Sequence, residues 1–343
     1  MDAQAITNKV DDGVEPSLSK ASSMRAIVQR TYGSTDVLGL TNIDKPNIAA
    51  DEVLVKVHAA GVDRGTWHLM TGLPYLGRLA FGLRVPRNPV PGLDVAGTVV
   101  AIGSKVTRFH QGDEVFGIAK GSFAEYAAAI EHRLVHKPAN LSFEQAAVVS
   151  VSGLAAIQGL QAGRVQAGQK VLIIGASGGV GTYAVHLAKA FGVEVTGVCS
   201  TAKVDLARSI GADHVIDYTQ EDFADGVRRY DLVLDIGGSS PISRLRRALT
   251  STGTLVIVGE EEGGKWTGMG RQIRARALSP FVRQRLTTFV SRHRQADLEE
   301  LRQLVEAGQV TPVVDRTYPM EDVPDAIRHL EAGLARGKIA IRI

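Results

Sequence analysis

The fold is decided by residues 170–181, which read KVLIIGASGGVG. An apolar run, Val171–Ile174, enters a glycine turn, and apolar residues at helical spacing follow through Phe191. A buried strand, a glycine turn and a helix in this order form a dinucleotide pyrophosphate site, because the N–H groups and the positive end of the helix face the anion. The sequence therefore predicts a nicotinamide cofactor, with Gly178 allowing close approach of the phosphates and Gly181 close packing of the helix.

Strand-like and helical segments alternate along the second half of the chain. The strand-like segments are residues 171–174, 193–198, 214–217, 231–235 and 254–258. This alternation predicts an α/β fold with a doubly wound parallel sheet of the Rossmann type. A glycine turn alone is weak evidence, because such turns also join strands to helices where nothing binds; the complete strand, turn, helix and strand favours a cofactor site. Residues 298–307 are predicted to form an amphipathic helix and residues 338–341 a closing strand.

The first half of the chain has a different pattern. Short apolar runs alternate with glycine turns, and Val53, Val55 and Val57 fall on one face of a predicted strand. This part is predicted to be mostly β, up to an alanine-rich helical stretch over residues 144–160. Residues 1–23 are polar, of mixed charge and without the apolar core of a secretory signal, so they are predicted to be a disordered tail.

Composition and charge bound the class of protein. With 44% hydrophobic and 22% charged residues over 343 positions, the chain has the balance of a soluble globular protein of two domains. Its net charge of +3 is too small to argue for a nucleic-acid partner, and none is expected. The single cysteine, Cys199, excludes an internal disulfide framework and fits a reducing, cytoplasmic location. No apolar stretch is long enough to span a bilayer.

Several short motifs occur in a fixed order along the chain. They read AAGVD at 59–63, PGLDVAG at 91–97, GDEVFG at 112–117, SFAEY at 122–126, GAD at 211–213 and GK at 337–338. With the glycine turn, this series resembles the medium-chain dehydrogenase/reductase superfamily, in its zinc-independent quinone oxidoreductase-like branch. The resemblance implies a GroES-like β-rich catalytic domain over residues 24–148, a Rossmann cofactor domain over 149–292 and a return segment, 293–343, that completes the catalytic domain. It also implies a homodimer formed through the edge of the cofactor sheet.

The usual zinc ligands of that superfamily are absent from the sequence. Zinc-dependent members carry a cysteine where this chain has Asp63 and Arg64, and a Gly-His-Glu motif where residues 92–94 read Gly-Leu-Asp. A catalytic zinc needs about three protein ligands of suitable geometry, so no zinc is expected; an unusual site made by Asp63, His68 and Asp94 is the alternative. Short-chain dehydrogenases, the other class with such a turn, need a Tyr-x-x-x-Lys pair. They are disfavoured because none of the seven tyrosines has a lysine four residues on.

The end of the second strand of the cofactor domain indicates which dinucleotide binds. An acidic residue there holds the ribose hydroxyls of NADH and would repel a 2′-phosphate. This chain instead has Ser200, Thr201 and then Lys203. Hydroxyl groups and a cation suit a phosphate, so NADPH is predicted in preference to NADH; a merely solvated Lys203 is the alternative. In the resemblance, Ser200, Lys203 and Tyr218 surround the adenosine 2′-phosphate.

Further cofactor contacts are expected along the carboxyl edge of the parallel sheet, where this fold binds its ligand. Gly237 and Gly259 follow two of the strands, and Ser152 is expected to replace a threonine that relatives place where this chain has Ala155. The complete set of predicted cofactor residues is Ser152, Ser177, Gly178, Gly179, Val180, Ser200, Thr201, Lys203, Tyr218, Gly237, Val258 and Gly259.

Two side chains are candidates for catalysis. Hydride transfer is carried out by the nicotinamide, so the protein must align the acceptor and stabilise the charge that develops on its oxygen. Quinones and enones suit a metal-free site because conjugation spreads that charge. By the resemblance, Asp63 stands where quinone reductases have an asparagine, and His68 near the position of a tyrosine. His68 either supplies a proton near neutral pH or is structural, and Asp63 either orients a neighbour or caps the helix that begins near Thr66.

Residues 263–295 contain eight lysines and arginines and no acidic residue. This basic segment, 265–294, is predicted to be an amphipathic helix that either forms a solvated face over the cleft or makes weak contact with an anionic membrane surface. Three functions compete for the chain as a whole. The first is NADPH-dependent reduction of a small quinone or α,β-unsaturated carbonyl compound, and the second is an NAD(P)-dependent alcohol dehydrogenase or aldehyde reductase activity. The third is a non-catalytic role as a cofactor-binding scaffold or interaction protein.

Overall fold

The computed structural model describes residues 23–259, 266 and 269–343. The predicted disordered tail lies outside these residues except for Ser23. Ser23 is the first residue of a strand and is therefore not part of a disordered tail; the rest of that tail stays a prediction. Lys265 of the basic segment also lies outside the described residues.

The described residues form both strands and helices, and strands predominate in the first half of the chain. The strands are β1 (Ser23–Val28), β2 (Gly39–Asp44), β3 (Glu52–Val62), β4 (Asp94–Ile102), β5 (Glu114–Ile118), β6 (Tyr126–Ile130), β7 (Leu134–His136), β8 (Lys170–Ile174), β9 (Glu194–Cys199), β10 (His214–Asp217), β11 (Tyr230–Asp235), β12 (Leu249–Ile257), β13 (Arg285–Thr288), β14 (Val314–Pro319) and β15 (Lys338–Arg342). The helices are α1 (Arg64–Thr71), α2 (Arg78–Phe81), α3 (Phe143–Ala146), α4 (Ser150–Gly163), α5 (Gly179–Ala190), α6 (Val204–Ser209), α7 (Ile242–Arg247), α8 (Gly270–Leu278), α9 (Gln295–Glu306) and α10 (Val323–Glu331). No helix of the described residues is long and apolar enough to cross a membrane.

Six strands form a sheet in the order β10-β9-β8-β11-β12-β13, and every neighbouring pair is parallel. This is the strand order of a doubly wound dinucleotide-binding sheet, with the reversal of order between β8 and β11. The predicted Rossmann sheet is therefore confirmed. Ligands of such sheets bind at the carboxyl ends of the strands beside the reversal, which here means beyond Ile174 and Asp235.

The basic segment is not one amphipathic helix, so that prediction is wrong. Only α8 is α-helical, and β13 follows it as the outermost strand of the parallel sheet. The strand is short, and only Leu286 of its four residues is apolar and buried. Hydrophobic periodicity cannot detect so short a strand when charged side chains flank it.

The second large sheet has the order β14-β15-β3-β4-β5-β7, and β6 also pairs with β3. β15 lies antiparallel to β3, so that Ile339 is opposite Val62. The end of the chain therefore joins a sheet built from its first half. The GroES-like, β-rich character of this half is as predicted; the exact domain boundaries stay predictions.

The predicted helix over residues 144–160 is interrupted. Ser142 and Gln145 form a reciprocal capping box at the start of α3, and α4 begins only at Ser150. α4 is buried along nearly its whole length, and Gly163 allows it to lie against β11, since a Cβ there would be 2.7 Å from Leu232 Cδ2. At the other end of α4, Ser152 of the first turn lies beside Gly179 of the cofactor domain, since a Cβ on that glycine would be 3.4 Å from Ser152 Oγ.

Candidate active site

The glycine turn has the shape that the sequence predicts. Gly175 adopts φ +87°, a conformation that favours glycine, and Gly178 precedes α5 with extended backbone angles. A Cβ on Gly181 would lie 2.0 Å from the carbonyl oxygen of Gly175, so α5 can pack this closely only without a side chain there. A Cβ on Gly178 would meet only that same oxygen, at 3.5 Å. The outer side of Gly178 is therefore open to a ligand, and the first N–H groups of α5 are available to it.

The C-terminal segment packs on this turn. The Gly337 N–H donates a hydrogen bond to the carbonyl oxygen of Ser177, at 3.0 Å. A Cβ on Gly179 would lie 2.9 Å from Cδ of Lys338 and 3.4 Å from Oγ of Ser152. Gly179 therefore makes room for the lysine as well as for a ligand. Lys338 was not among the predicted site residues; the signals were a lysine opening an apolar strand and its place in the GK motif.

Lys338 belongs to a buried polar group that joins three elements. Its Nζ lies 3.3 Å from Oδ2 of Asp94 in β4 and donates to Oγ of Ser152 at 3.1 Å. Oδ1 of Asp94 accepts from the N–H of Val151 at 2.7 Å. Burial raises the pKa of Asp94 to about 7; Lys338 opposes that shift, and the charge of Asp63 adds to it. Ser152, a predicted cofactor residue, is thus bound to Lys338 at the base of the turn.

Asp63 caps α1, which is one of the two roles proposed for it. Its Oδ1 accepts from the N–H of Thr66 at 2.8 Å, and the helix begins at Arg64 rather than near Thr66. Its Oδ2 is buried and has no hydrogen-bond partner among the described residues. An unpaired buried carboxylate oxygen is costly, so Oδ2 is an acceptor that a ligand N–H or O–H group could satisfy.

The geometry of His68 favours a neutral ring. Its Nδ1 lies 2.7 Å from the carbonyl oxygen of Leu73, so Nδ1 carries the proton and donates it. Burial lowers the pKa of His68, with the positive charge of Arg64 acting in the same direction. A neutral ring with this tautomer presents Nε2 as an acceptor. Proton donation by His68 stays a prediction, and this arrangement does not favour it.

The predicted 2′-phosphate residues lie together beyond the end of β9. Ser200 precedes a single 3₁₀ turn over Thr201–Lys203, and the N–H of Tyr218 donates to the carbonyl oxygen of Cys199 at 3.1 Å. The ammonium of Lys203 donates to the carbonyl oxygens of Gly333 and Ala335, both at 2.7 Å. Lys203 therefore fastens the C-terminal segment to the cofactor domain and is not simply solvated.

A carboxylate that was not predicted lies in the same region. Oγ1 of Thr201 donates to Oδ2 of Asp217 at 2.6 Å, and Asp217 also accepts from Thr219. Asp217 ends β10 rather than β9. It was missed because the usual acidic residue of NADH sites ends the second strand, whereas this one is brought there by the pairing of the third strand with the second.

The carboxyl ends of β11 and β12 meet the glycine turn. The Gly237 N–H donates to the carbonyl oxygen of Ile174 at 3.1 Å, and the Val258 N–H to that of Asp235 at 3.0 Å. Gly237 and Val258 therefore lie on neighbouring strand ends, and Gly259 is the next residue after Val258. Their contact with the nicotinamide stays a prediction.

Arg271 anchors α8 to this edge of the sheet. It forms an ion pair with Asp235, whose side chain is fully buried, and donates to the carbonyl oxygens of Gly238 and Ser240. In the sequence, Arg271 is one of the cations of the basic segment, which is predicted to be exposed; for Arg271 this prediction is wrong. The cause is a partner 36 residues away that no local pattern reveals.

In the described part of the chain, no group of three or more His, Cys, Asp or Glu side chains could hold a metal ion. The alternative zinc site of Asp63, His68 and Asp94 is not assembled, because Asp94 pairs with Lys338 and His68 with Leu73. Absence of zinc from the working protein stays a prediction.

Two family models match the chain: the alcohol dehydrogenase GroES-like domain over residues 49–139 and the zinc-binding dehydrogenase over residues 210–341. The 2-methylene-furan-3-one reductase of Solanum lycopersicum is 35% identical over 340 residues, covering 95% of this chain and 80% of that protein. The chloroplastic NADPH-dependent alkenal/one oxidoreductase of Arabidopsis thaliana is 34% identical, covering 99% and 84%. The solved quinone oxidoreductase from Coxiella burnetii has a TM-score of 0.83 at 27% identity, covering 94% of this chain and 100% of that one.

A parallel sheet with this glycine turn, joined to a GroES-like half, defines the class of dinucleotide-dependent oxidoreductases. The similarities are more specific. The chain belongs to the medium-chain dehydrogenase/reductase superfamily, with the quinone and enone oxidoreductases.

Proposed function

We propose that this protein is an NADPH-dependent oxidoreductase that transfers hydride to a small quinone or α,β-unsaturated carbonyl compound. The observation that carries the proposal is the shape of the glycine turn. Gly178 leaves space for a ligand on one side, and Gly181 lets α5 pack closely on the other. The names of the relatives, an alkenal/one oxidoreductase and a furanone reductase, support the acceptor class.

The residues at the turn fit a nicotinamide dinucleotide. The start of α5 offers N–H groups to a pyrophosphate, and the ends of β8 and β11 border the same space through Ile174 and Gly237. The unpartnered Oδ2 of Asp63 offers an acceptor for a ligand N–H or O–H group. The cofactor, when bound, supplies the hydride.

The protein's own contribution is to bind, orient and exclude water. Ser177, Gly178, Gly179 and Val180 would hold the pyrophosphate, and the buried pair beneath them keeps the turn in place. Conjugation in a quinone or enone spreads the developing negative charge, and solvent can supply the proton, so no acidic side chain is required. This agrees with a neutral His68.

The zinc-independent mechanism is part of the proposal. Asp94 occupies the place of the glutamate in the Gly-His-Glu motif of zinc-dependent relatives, and the ammonium of Lys338 lies 3.3 Å from its Oδ2. A cation already neutralises this carboxylate, so a zinc ion beside it would meet like charge.

The preference for NADPH over NADH rests on Ser200, Lys203 and Tyr218 around the end of β9. Two carbonyl oxygens hold the Lys203 ammonium in place, which fixes a positive charge there. The carboxylate of Asp217 acts against a phosphate, although it is bound by two threonine hydroxyls. We propose that the attraction of the phosphate to the Lys203 cation and the hydroxyl groups is stronger than its repulsion by Asp217.

We also propose a homodimer and a cytoplasmic location. β13 is the outer strand of the parallel sheet, and exposed Phe281 and Val290 flank it, as expected of an edge that pairs with a second copy. The free, buried Cys199 is compatible with a reducing compartment.

Oxidation of NADPH by metal-stripped protein tests the function, with 9,10-phenanthrenequinone, a simple enone and an aldehyde as acceptors and NADH in parallel. We expect turnover of the quinone or enone with NADPH, and little with the aldehyde. Turnover of the aldehyde, or activity that only added zinc restores, would favour an alcohol dehydrogenase. Binding of NADPH without turnover of any acceptor would favour a scaffold.

A further inference from the structure

Two exposed segments meet on the surface of the protein. One is residues 75–87; the other is Trp266 with residues 269–276. The Leu76 N–H donates to the carbonyl oxygen of Trp266 at 3.0 Å, and the rings of Tyr75 and Trp266 stand edge to face at 5.4 Å. We call these two segments together the apolar–basic surface.

Large apolar side chains stand out from both segments. Leu79 is 63% exposed, Leu83 67% and Ile273 61%, and Trp266 is exposed as well. Single exposed apolar residues are ordinary on protein surfaces, whereas several on adjoining segments indicate a binding surface. Nothing in the described part of the chain covers them.

The same surface is positively charged. Residues 64–87 and 269–294 contain no Asp or Glu, and Arg84, Arg87 and Arg274 are exposed. None of these three arginines forms an ion pair with a described residue, whereas Arg302 and Arg328 elsewhere pair with carboxylates. The nearest acidic run in sequence, 260–262, lies outside the described residues.

This surface differs from the predicted basic segment. Arg271 is held in its ion pair with Asp235, and Arg285 donates to the carbonyl oxygen of Ala162. Neither can reach an external partner without giving up these contacts. Residues 75–87, which include α2, supply most of the exposed apolar side chains.

The apolar and basic side chains together indicate which kind of partner this surface binds. A second copy bound through a two-fold axis would bring arginines of this surface towards each other, which like-charge repulsion disfavours. Nucleic acid would engage the arginines but would leave Leu79, Leu83 and Ile273 in water. A bilayer with anionic headgroups satisfies both, because apolar side chains enter the headgroup boundary while arginines meet phosphates.

We infer that the apolar–basic surface docks on an anionic phospholipid bilayer. The surface begins two residues after Leu73, which binds His68, and Arg271 ties α8 to the strand ends of the cofactor site. Docking therefore brings His68 and the strand ends of the cofactor site towards the membrane. If the proposed function holds, this orientation lets the protein take a lipophilic quinone or enone directly from the bilayer.

Liposome flotation of the full chain tests the docking without any substrate, using phosphatidylcholine vesicles with and without phosphatidylserine. We expect flotation with phosphatidylserine at low salt and its loss at high salt. The double variants Leu79→Ser/Leu83→Ser and Arg84→Gln/Arg274→Gln should both bind more weakly, the latter by about fivefold per arginine. The matched control is Val227→Ser/Arg229→Gln, on an exposed loop before β11, at the opposite end of the sheet, and it should float as the original protein does.

Failure of the original protein to float, or equal flotation of all variants, would overturn the docking. Self-association without vesicles that the same substitutions abolish would assign the surface to a second copy instead. Turnover of a water-soluble quinone should be unchanged in every variant. Flotation without any turnover would refute the proposed function and leave the docking intact.

Discussion

The ammonium of Lys338 lies 3.3 Å from Oδ2 of Asp94, and both side chains are buried. Lys338 opens β15 and Asp94 opens β4, so the pair joins strands that are far apart in the sequence. Ser152 and Gly179 touch the same lysine. The ion pair therefore links the cofactor turn to two strands of the other large sheet.

Removal of one partner of this pair should destabilise the protein strongly. Above pH 7, where Asp94 is ionised in the original protein, Lys338→Met removes the cation beside this buried carboxylate, and we expect a loss of about 3–5 kcal/mol. The double variant Lys338→Met/Asp94→Asn should recover much of that loss. Urea unfolding measures the stability of both variants. The control is Arg342→Gln, which breaks an exposed ion pair with Glu144 and should cost under about 1 kcal/mol. Equal losses at the buried and exposed pairs would contradict this account.

The raised pKa of Asp94 should give the protein a specific pH dependence. The folded protein holds this proton up to about pH 7, whereas the unfolded chain releases it near 3.8. Between these values the native state binds more protons, so the contribution of Asp94 to stability falls as pH rises. The free energy of unfolding, measured across this window, should therefore fall less with pH in Asp94→Asn than in the original protein. If the free energy of unfolding fell equally with pH in both proteins, Asp94 would not titrate in this range.

Two glycines of the turn should respond differently to alanine. Gly181→Ala forces its Cβ to 2.0 Å from the Gly175 oxygen and should prevent correct packing of α5, with a large drop in melting temperature. Gly178→Ala meets no close atom within the protein, so stability without cofactor should be nearly unchanged. Its methyl group enters the space left for the pyrophosphate, and NADPH affinity, measured by fluorescence, should fall about tenfold or more. Unchanged affinity in Gly178→Ala would place the cofactor elsewhere.

Lys203 should discriminate between the two cofactors. In Lys203→Met, loss of a charge-assisted contact to the 2′-phosphate should raise KM for NADPH by about 10- to 100-fold, with a much smaller change for NADH. The lysine also binds Gly333 and Ala335, so a purely structural role would raise both KM values together. Steady-state kinetics with both cofactors separates these results.

His68 should prove structural. Asparagine can place its amide N–H near the position of Nδ1 and keep the hydrogen bond to Leu73. We therefore expect His68→Asn to retain kcat within about threefold at neutral pH, whereas loss of a general acid costs about 10²–10⁴. The pH profile of kcat gives a second check, because loss of a general acid would remove one limb.

The sequence predicts those features that depend on neighbours along the chain. The glycine turn and the strands β8 to β12 follow from local pattern and were predicted, as was the closing strand at Lys338. Apolar periodicity carries this information because it fixes which side of each element is buried. Local pattern is therefore sufficient to predict the Rossmann sheet.

The remaining features depend on partners far away in sequence. Asp94 and Lys338 are 244 residues apart, and Arg271 and Asp235 are 36 apart. The sequence does not distinguish a buried arginine or lysine from a solvated one, because its burial depends on the fold. Asp217 reaches Thr201 because β10 pairs with β9, which no spacing rule states.

The hydrogen bond from Gly337 to Ser177 makes the cofactor turn depend on residues that the ribosome adds after every strand of the parallel sheet. A truncated product that ends shortly before Gly337 would contain strands β8 to β13 and lack the two residues that pack on the pyrophosphate turn. We expect such a product to bind the dinucleotide more weakly than the full chain.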